Sequence, residues 1–322
     1  MVRGPGVATG RSGSIGAVFY IDVDFWPLNT ALYVKDFYGN DPKFVFWLLR
    51  YFDLNKFASG VGVPTLNRNT VHDETVVVPA ALDEQRRIVA VLDEAFEGIA
   101  TATANAQKNL TNARALFDSS LHNIFTQKGQ DWSEQPLGKV CKFVGGSQPP
   151  KAVFSATDSC DHVRLIQIRD YKSDKHVVFI PKNLARRFCT KDDVMIGRYG
   201  PPLFQILRGI DGAYNVALMK AAPDEAKISK DYLFYFLRNK DLLSYIVGAS
   251  ARAAGQIGLT KETIEPYPIP FPSLERQAVI VGQLSMIEET TKRLAQVAQS
   301  KLAVLTQLKQ SLLQKAFAGE LT

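Results

Sequence analysis

Apolar residues recur every three or four positions along two stretches of this chain, each more than forty residues long. In the first the pattern runs Leu92, Phe96, Ile99, Thr103, Ala106, Leu110, Ala113, Phe117, Leu121 and Ile124. That spacing predicts one helix over residues 82–127, with these side chains forming a seam down one face. Gly98 interrupts it, and Gly129 is placed to stop it. The second runs Leu284, Ile287, Thr291, Leu294, Ala298, Leu302, Leu305, Leu308 and Leu312, which predicts a helix over residues 274–318 that Gly319 ends. At roughly 1.5 Å per residue, a helix of about 46 residues spans about 70 Å. One globular core does not bury such a length, so each seam needs a mate. The other seam, antiparallel in the same chain, is the simplest one.

Between and before these stretches the pattern changes. Ala17–Ile21 and Thr75–Val78 are rich in β-branched and aromatic residues and predict strands. Asp41-Pro42 starts a helix through Phe44, Val45, Leu48, Leu49 and Phe52, and Pro79 closes that unit. Val163–Arg169 alternates apolar and basic residues, which predicts a half-buried strand with Arg164 and Arg169 on its outer face. Ile228–Leu243 predicts a helix around Tyr232, Leu233, Tyr235, Phe236 and Leu237. Pro266, Pro268, Pro270 and Pro272 punctuate the end of that segment.

The two long stretches are copies of one another. Leu82-Asp83-Glu84-Gln85-Arg86 returns as Leu274-Glu275-Arg276-Gln277-Ala278, and Ser119–Phe125 returns as Ser311–Phe317, both at an offset of 192 residues. The likeness extends loosely into the globular parts. Asn29-Thr30-Ala31-Leu32 matches Asn215-Val216-Ala217-Leu218, and Phe44–Arg50 matches Tyr232–Arg238. A period this long marks a duplicated domain with its helix, not a solenoid. The expected fold is α+β, with two α/β globular domains separated by two long antiparallel helices in a coiled coil. Its expected divisions are a partial first domain over 1–80, a helix over 81–129, a complete second domain over 130–273 and a second helix over 274–322. The second copy has a long stretch, Asp131 to Ile196, before Gly197-Arg198-Tyr199-Gly200; little precedes the matching Gly10-Arg11-Ser12-Gly13. The expectation is a chain that begins inside its first domain.

Composition narrows the function. No apolar run approaches the roughly 20 residues of a membrane span, and no apolar stretch follows Arg3 as a signal peptide requires. A cytoplasmic protein is expected. Cys141, Cys160 and Cys189 form no CxxC pair, and the four histidines form no metal-ligand motif. The net charge is +6, and residues 131–272 hold most of the excess, with 20 Lys and Arg against 15 Asp and Glu. That bias favours a polyanionic partner. Gly4–Ser12 fails as a phosphate-binding loop, because Pro5 falls on the first glycine and Arg11 replaces the lysine. No Asp/Asn-Pro-Pro-Tyr motif of adenine methyltransferases and no Gly-x-Ser-x-Gly nucleophile motif with triad partners occurs. No catalytic residue and no bound metal is expected.

Several anchors together carry a resemblance. Leu82–Val89 after a proline-bounded strand and before a long helix, Gly145-Gly146-Ser147-Gln148-Pro149-Pro150, Ile168-Arg169-Asp170-Tyr171, Arg198-Tyr199-Gly200 and the terminal Leu312–Leu321 resemble the specificity subunit of type I restriction-modification systems. The resemblance spans essentially the whole chain. It implies two target recognition domains, each followed by a conserved long helix, the first domain here lacking most of its front half. It implies a non-catalytic subunit that reads half-sites of a bipartite double-stranded DNA target for DNA methylation and antiviral defence. The implied partners are two methyltransferase subunits and a motor-nuclease subunit, which bind S-adenosylmethionine, ATP and Mg. Self-association of a chain with one full domain is a further expectation. Val91, Leu116, Val297 and Val304, outside the seams, are the implied docking positions. The alternative is a helical protein-interaction scaffold without sequence-specific DNA binding.

The candidate DNA-binding residues are polar or basic and carried mostly on loops, as base-edge and phosphate contacts require. They are Gln148 and Lys151 in a Gly/Pro-rich loop; Arg164, Arg169, Tyr171 and Lys172 on and after the alternating strand; Arg198 and Tyr199 in a Gly-bounded turn; and Arg252 and Gln256 in Ala249–Gln256, which reads as a flexible loop.

Overall fold

In the computed structural model of the protein, residues 1–60, 63–200, 202–252 and 258–321 are described; for 250–252 this means the helical backbone alone. They fall into two compact units: Met1–Thr111 with Ala295–Thr322, and Asn112–Leu294. Each long helix, Leu82–Thr126 and Leu274–Phe317, contributes to both.

In the first unit, β1 (Gly6–Gly10) lies between β2 (Val18–Ile21) and β3 (Ala31–Tyr33), antiparallel to each. The helix Pro42–Phe52 follows, with Asp41 as its N-cap accepting from the Lys43 and Phe44 amides. It buries Phe44 and Trp47 against Ile88, Leu92 and Ala316, with Leu312, Leu313 and Phe317 packed around them. The start of the first long helix therefore faces the end of the second, an antiparallel pairing. A short ribbon of β4 (Ala58–Ser59) and β5 (Thr65–Leu66) completes the sheets. The strand predicted at Thr75–Val78 does not form. The backbone there is irregular and Val77 is 87% exposed. β-branched residues favour a strand only where a neighbour offers a ladder, and none pairs here among the described residues.

The second unit contains β6 (Ser133–Pro136), β7 (Cys141–Gly145), β8 (His162–Ile166), β9 (Phe179–Pro181), β10 (Phe188–Cys189), β11 (Val194–Gly197), β12 (Gln205–Leu207), β13 (Gly212–Tyr214), β14 (Leu218–Pro223) and β15 (Pro268–Phe271). They form sheets of order β10-β13-β8-β9 and β12-β11-β14-β7, and a β15-β6 ribbon. The β2-β1-β3 order of the first unit reappears as β12-β11-β14, with β7 added beside β14. Leu121 and Phe125, near the end of the first long helix, share one core with Tyr232, Phe236, Ile280 and Leu284. Here the end of the first long helix meets the start of the second.

Two buried glutamines explain why the repeat kept its Leu-x-x-Gln motif. Gln277 is 0% exposed; its Oε1 accepts from the Ser229 amide and its Nε2 donates to the Lys227 and Pro272 carbonyls. Gln85 is 1% exposed; it accepts from the Asp41 amide and donates to the Pro79 carbonyl and to Asn40 Oδ1. Ser229 and Asp41 are the N-caps of the helices Lys230–Leu237 and Pro42–Phe52. In each unit one side chain thus ties the short helix's first residue to the proline-marked entry of the long helix.

Two further predicted elements need correction. The helix over 228–243 is two helices, Lys230–Leu237 and Lys240–Arg252. Asn239 divides them, its Oδ1 accepting from the Asp241 amide as a cap. The second seam lies where predicted except at two positions. Leu294 and Leu308 are 50% and 42% exposed, whereas Ala295 and Lys309, each one position further on, are half-buried beside the buried Thr291, Ala298 and Leu305. Geometry selects the stripe, and a lysine stem or an alanine fills it as readily as a leucine. Beyond the second long helix, Gly319 adopts φ +79, the left-handed turn that glycine accommodates without strain.

Candidate nucleic-acid interface

Strand ends in the second unit deliver several loops to one side. β7 and β11 both run antiparallel to β14, with Gly145 opposite Met219 and Gly197 opposite Leu218. β8 and β13 run parallel, and the Asn215 amide donates to the Ile166 carbonyl where they end. Loops 146–150, 167–172, 198–200 and 215–217 therefore emerge together. Backbone bonds stitch them: Gly146 N–H to the Leu218 carbonyl at 3.0 Å, Ser147 N–H to Tyr214 at 3.1 Å and Arg198 N–H to Ala217 at 2.9 Å. Gly146 is required for this approach. A Cβ there would stand 1.9 Å from the Asn215 carbonyl oxygen. Sequence reasoning passed over the 215–217 turn as a site element, although Asn215-Val216-Ala217 stands among the repeat anchors.

Gln148 is exposed on the first loop and Lys151 on the 3-10 turn Lys151–Val153 that follows it. Tyr199 is 42% exposed, with its ring against Gly258. Arg198 beside it is tied inward. Its Nε donates to the Leu259 carbonyl at 2.9 Å and a terminal nitrogen to Val216 at 3.3 Å, while the guanidinium lies over the Tyr199 ring. The geometry gives Arg198 a bracing role in which it orients Tyr199.

The remaining basic residues are arranged differently from the prediction. β8 stops at Ile166 and a 3-10 turn, Ile168–Tyr171, follows, so Arg164 and Arg169 do not share a strand face. Asp170 imposes the turn: its Oδ2 accepts from the Gln167 amide at 2.9 Å in a capping box. Arg169 and Lys172 are exposed on the turn. Arg164 is mostly covered and donates to Asp174 at 2.7 Å. Tyr171 is half-buried, and burial raises its phenol. Burial also raises the Asp170 carboxyl, against the Gln167 amide and the Arg164 and Arg169 guanidiniums, which lower it. The predicted flexible loop at 249–256 is corrected at its start, where Arg252 ends the helix Lys240–Arg252; Gln256 lies outside the described residues.

Further from the loops, two ion-pair groups brace the unit. Burial alone would raise Asp193, but the Thr190 amide, Lys230 and Lys220 outweigh it and hold the carboxyl near about 2. Burial would likewise raise Glu288, but Arg238 and Lys292 hold it at about 2. Arg238 also lies over the Phe117 ring, joining both long helices to the helix Lys230–Leu237. Cys141 and Cys189 are buried thiols raised to about 12, which makes them packing residues. Among the described residues no cluster of three or more His, Cys, Asp or Glu is arranged to hold a metal, and no helix is long and apolar enough to cross a membrane.

Comparison with known proteins agrees with this layout. The family model for the type I restriction modification DNA specificity domain matches residues 4–112 and 129–300. The chain is 22% identical over 279 residues to the putative type I restriction enzyme MjaX specificity subunit of Methanocaldococcus jannaschii, covering 77% of this chain and 62% of that protein. It is 24% identical over 307 residues to the EcoBI specificity subunit of Escherichia coli, covering 84% of this chain and 63% of the relative. The chain thus spans less than two thirds of the length of either. In fold it is similar to the HsdS subunit of Thermoanaerobacter tengcongensis, with TM-score 0.61 and 21% identity over 99% of this chain and 82% of the other. It is also similar to a chain from a structure of complex assembly and conformational transition in the type I R-M system, with TM-score 0.77 and 19% identity over 99% and 83%.

Proposed function

Because the chain belongs to the type I restriction modification DNA specificity family, we propose that it reads DNA sequence for a methyltransferase complex and performs no chemistry itself. The observation that carries this reading is the family match across both units, taken with the loops gathered on one side of the second. Exposed Lys151, Arg169 and Lys172 are suited to phosphates, and Gln148 and Tyr199 to base edges or groove walls. Phosphate contacts supply affinity that falls with salt. Base contacts supply discrimination of about 1–3 kcal/mol each.

In this reading the second unit recognises a half-site of a bipartite duplex target. The long helices dock two methyltransferase subunits, and a motor-nuclease subunit joins the assembly. S-adenosylmethionine, ATP and Mg belong to those partners. In the same reading the protein acts in the cytoplasm, on chromosomal DNA.

The test is titration of the chain, co-purified with its methyltransferase subunits, against duplex DNA at several salt concentrations. We expect log affinity to fall linearly with log salt, and competition by duplexes of one sequence class. Binding that is absent or indifferent to salt would support the helical scaffold alternative instead.

A further inference from the structure

Two β-edges of the first unit stand open, and the second unit shows what closes their counterparts. β3 ends its sheet, and none of its residues is buried. Its counterpart β14 is an inner strand with Leu218, Met219 and Ala221 buried, because β7 pairs along its far side. Thr75–Val78 has no ladder partner among the described residues, and Val77 is 87% exposed. Ile269, at the repeat offset of 192 from Val77, is 0% exposed, because β15 pairs with β6.

β6 and β7 are consecutive in the chain. Ser133–Pro136 lies along β15, the helical turn Leu137–Val140 follows, and Cys141–Gly145 lies along β14. One continuous segment therefore closes both edges of the second unit. Its turn also fills the core, where Leu137 and Val140 are buried with Phe125, Ile269 and Ile280. The matching positions of the first unit are Phe317, Val77 and Ile88. They line a cavity of about 510 Å³ together with Val78, Pro79 and Ala316.

An open edge presents unpaired amides and carbonyls and is a template for another strand. We propose that the first unit binds, by strand addition, a segment built like Ser133–Gly145 that a second polypeptide supplies. Its first strand pairs with Val76–Val78. Its turn sets two aliphatic side chains into the cavity beside Ile88 and Phe317, and its second strand joins β3. This docking is separate from DNA reading, which is assigned to the second unit, so either can fail without the other.

The probe is a labelled synthetic peptide, Trp132–Gly145 with Cys141→Ser, titrated into the full chain. We expect saturable binding that slows amide hydrogen exchange at both Val76–Val78 and Ala31–Tyr33. Val77→Asp alters an exposed side chain, so the variant should melt as the wild type does. Its peptide affinity should fall at least about tenfold, because docking would bury the carboxylate. The peptide carrying Leu137→Asp and Val140→Asp is expected not to bind. No binding at about 1 mM peptide would overturn the proposal. So would equal binding by Val77→Asp or by the doubly substituted peptide, or slowed exchange at one edge alone. Edges that exchange slowly without peptide would also overturn it: at every protein concentration the chain closes them itself, and with rising protein concentration a second copy does.

Discussion

Gln277 is the residue on which the second unit's junction turns. Replacing it with leucine strands the Ser229 amide and the carbonyls of Lys227 and Pro272. The expected loss is about 3 kcal/mol, measured by urea denaturation, since each stranded buried group costs about 1–3 kcal/mol before relaxation. Gln148→Ala, at an exposed position, should stay within about 0.5 kcal/mol. Arg198→Ala separates bracing from reading; losing two bonds to carbonyls, it should lower stability by about 1 kcal/mol. The acid side of the stability profile follows from Asp193 and Glu288. Both are lowered in the folded state, so their contribution is full above the ordinary carboxylate values of 3.8 and 4.5. It disappears as pH falls toward about 2. Asp170, raised by burial, acts in the opposite sense and softens that loss. In Glu288→Gln, the acid limb of a pH-dependent melting series should become shallower. At this scale sequence legibility was partial. The motif Leu-x-x-Gln was visible as a repeat, but each glutamine's burial depends on a helix N-cap 44 or 48 residues away, which no local pattern records.

Elements were the most legible part, because helical periodicity is a local property. Both long helices, the helix Pro42–Phe52 and β2 appear where the pattern puts them. The failures have two causes, a missing tertiary partner and a local side-chain cap. Thr75–Val78 had strand residues and no ladder. Val163–Arg169 kept the alternation of a strand, yet the Asp170 capping box ended it early. The second seam gives a direct comparison on a single helix. Leu284 is fully buried and Leu308 is 42% exposed. Leu284→Ala should cost about 3 kcal/mol, and Leu308→Ala no more than about 0.5 kcal/mol, by chemical denaturation. Equal losses would return Leu308 to the seam.

For the whole molecule, the repeat now has two kinds of content. Its strict part maps onto the long helices and their glutamine clamps. Its loose part maps onto the short helices Pro42–Phe52 and Lys230–Leu237 and the sheets before them. Exposed apolar residues on the second long helix have no task within the first unit, with Val297 66% and Val304 59% exposed. In the proposed assembly they meet a methyltransferase subunit. The double variant Val297→Glu, Val304→Glu should keep its melting temperature within about 2 °C and lose co-purification with that subunit. In the proposed reading, base identity depends on how loops 146–150, 198–200 and 215–217 are held together, and those ties are backbone bonds between residues far apart in sequence, which no local pattern records. The claim that this chain reads sequence is tested most directly by co-expressing it with its methyltransferase subunits in a host lacking other adenine methylation and mapping methylated adenines across the genome. We expect methylation confined to one recurring motif, altered by Gln148→Ala. Methylation scattered without a motif, or one that stays the same when this chain is left out, would contradict it.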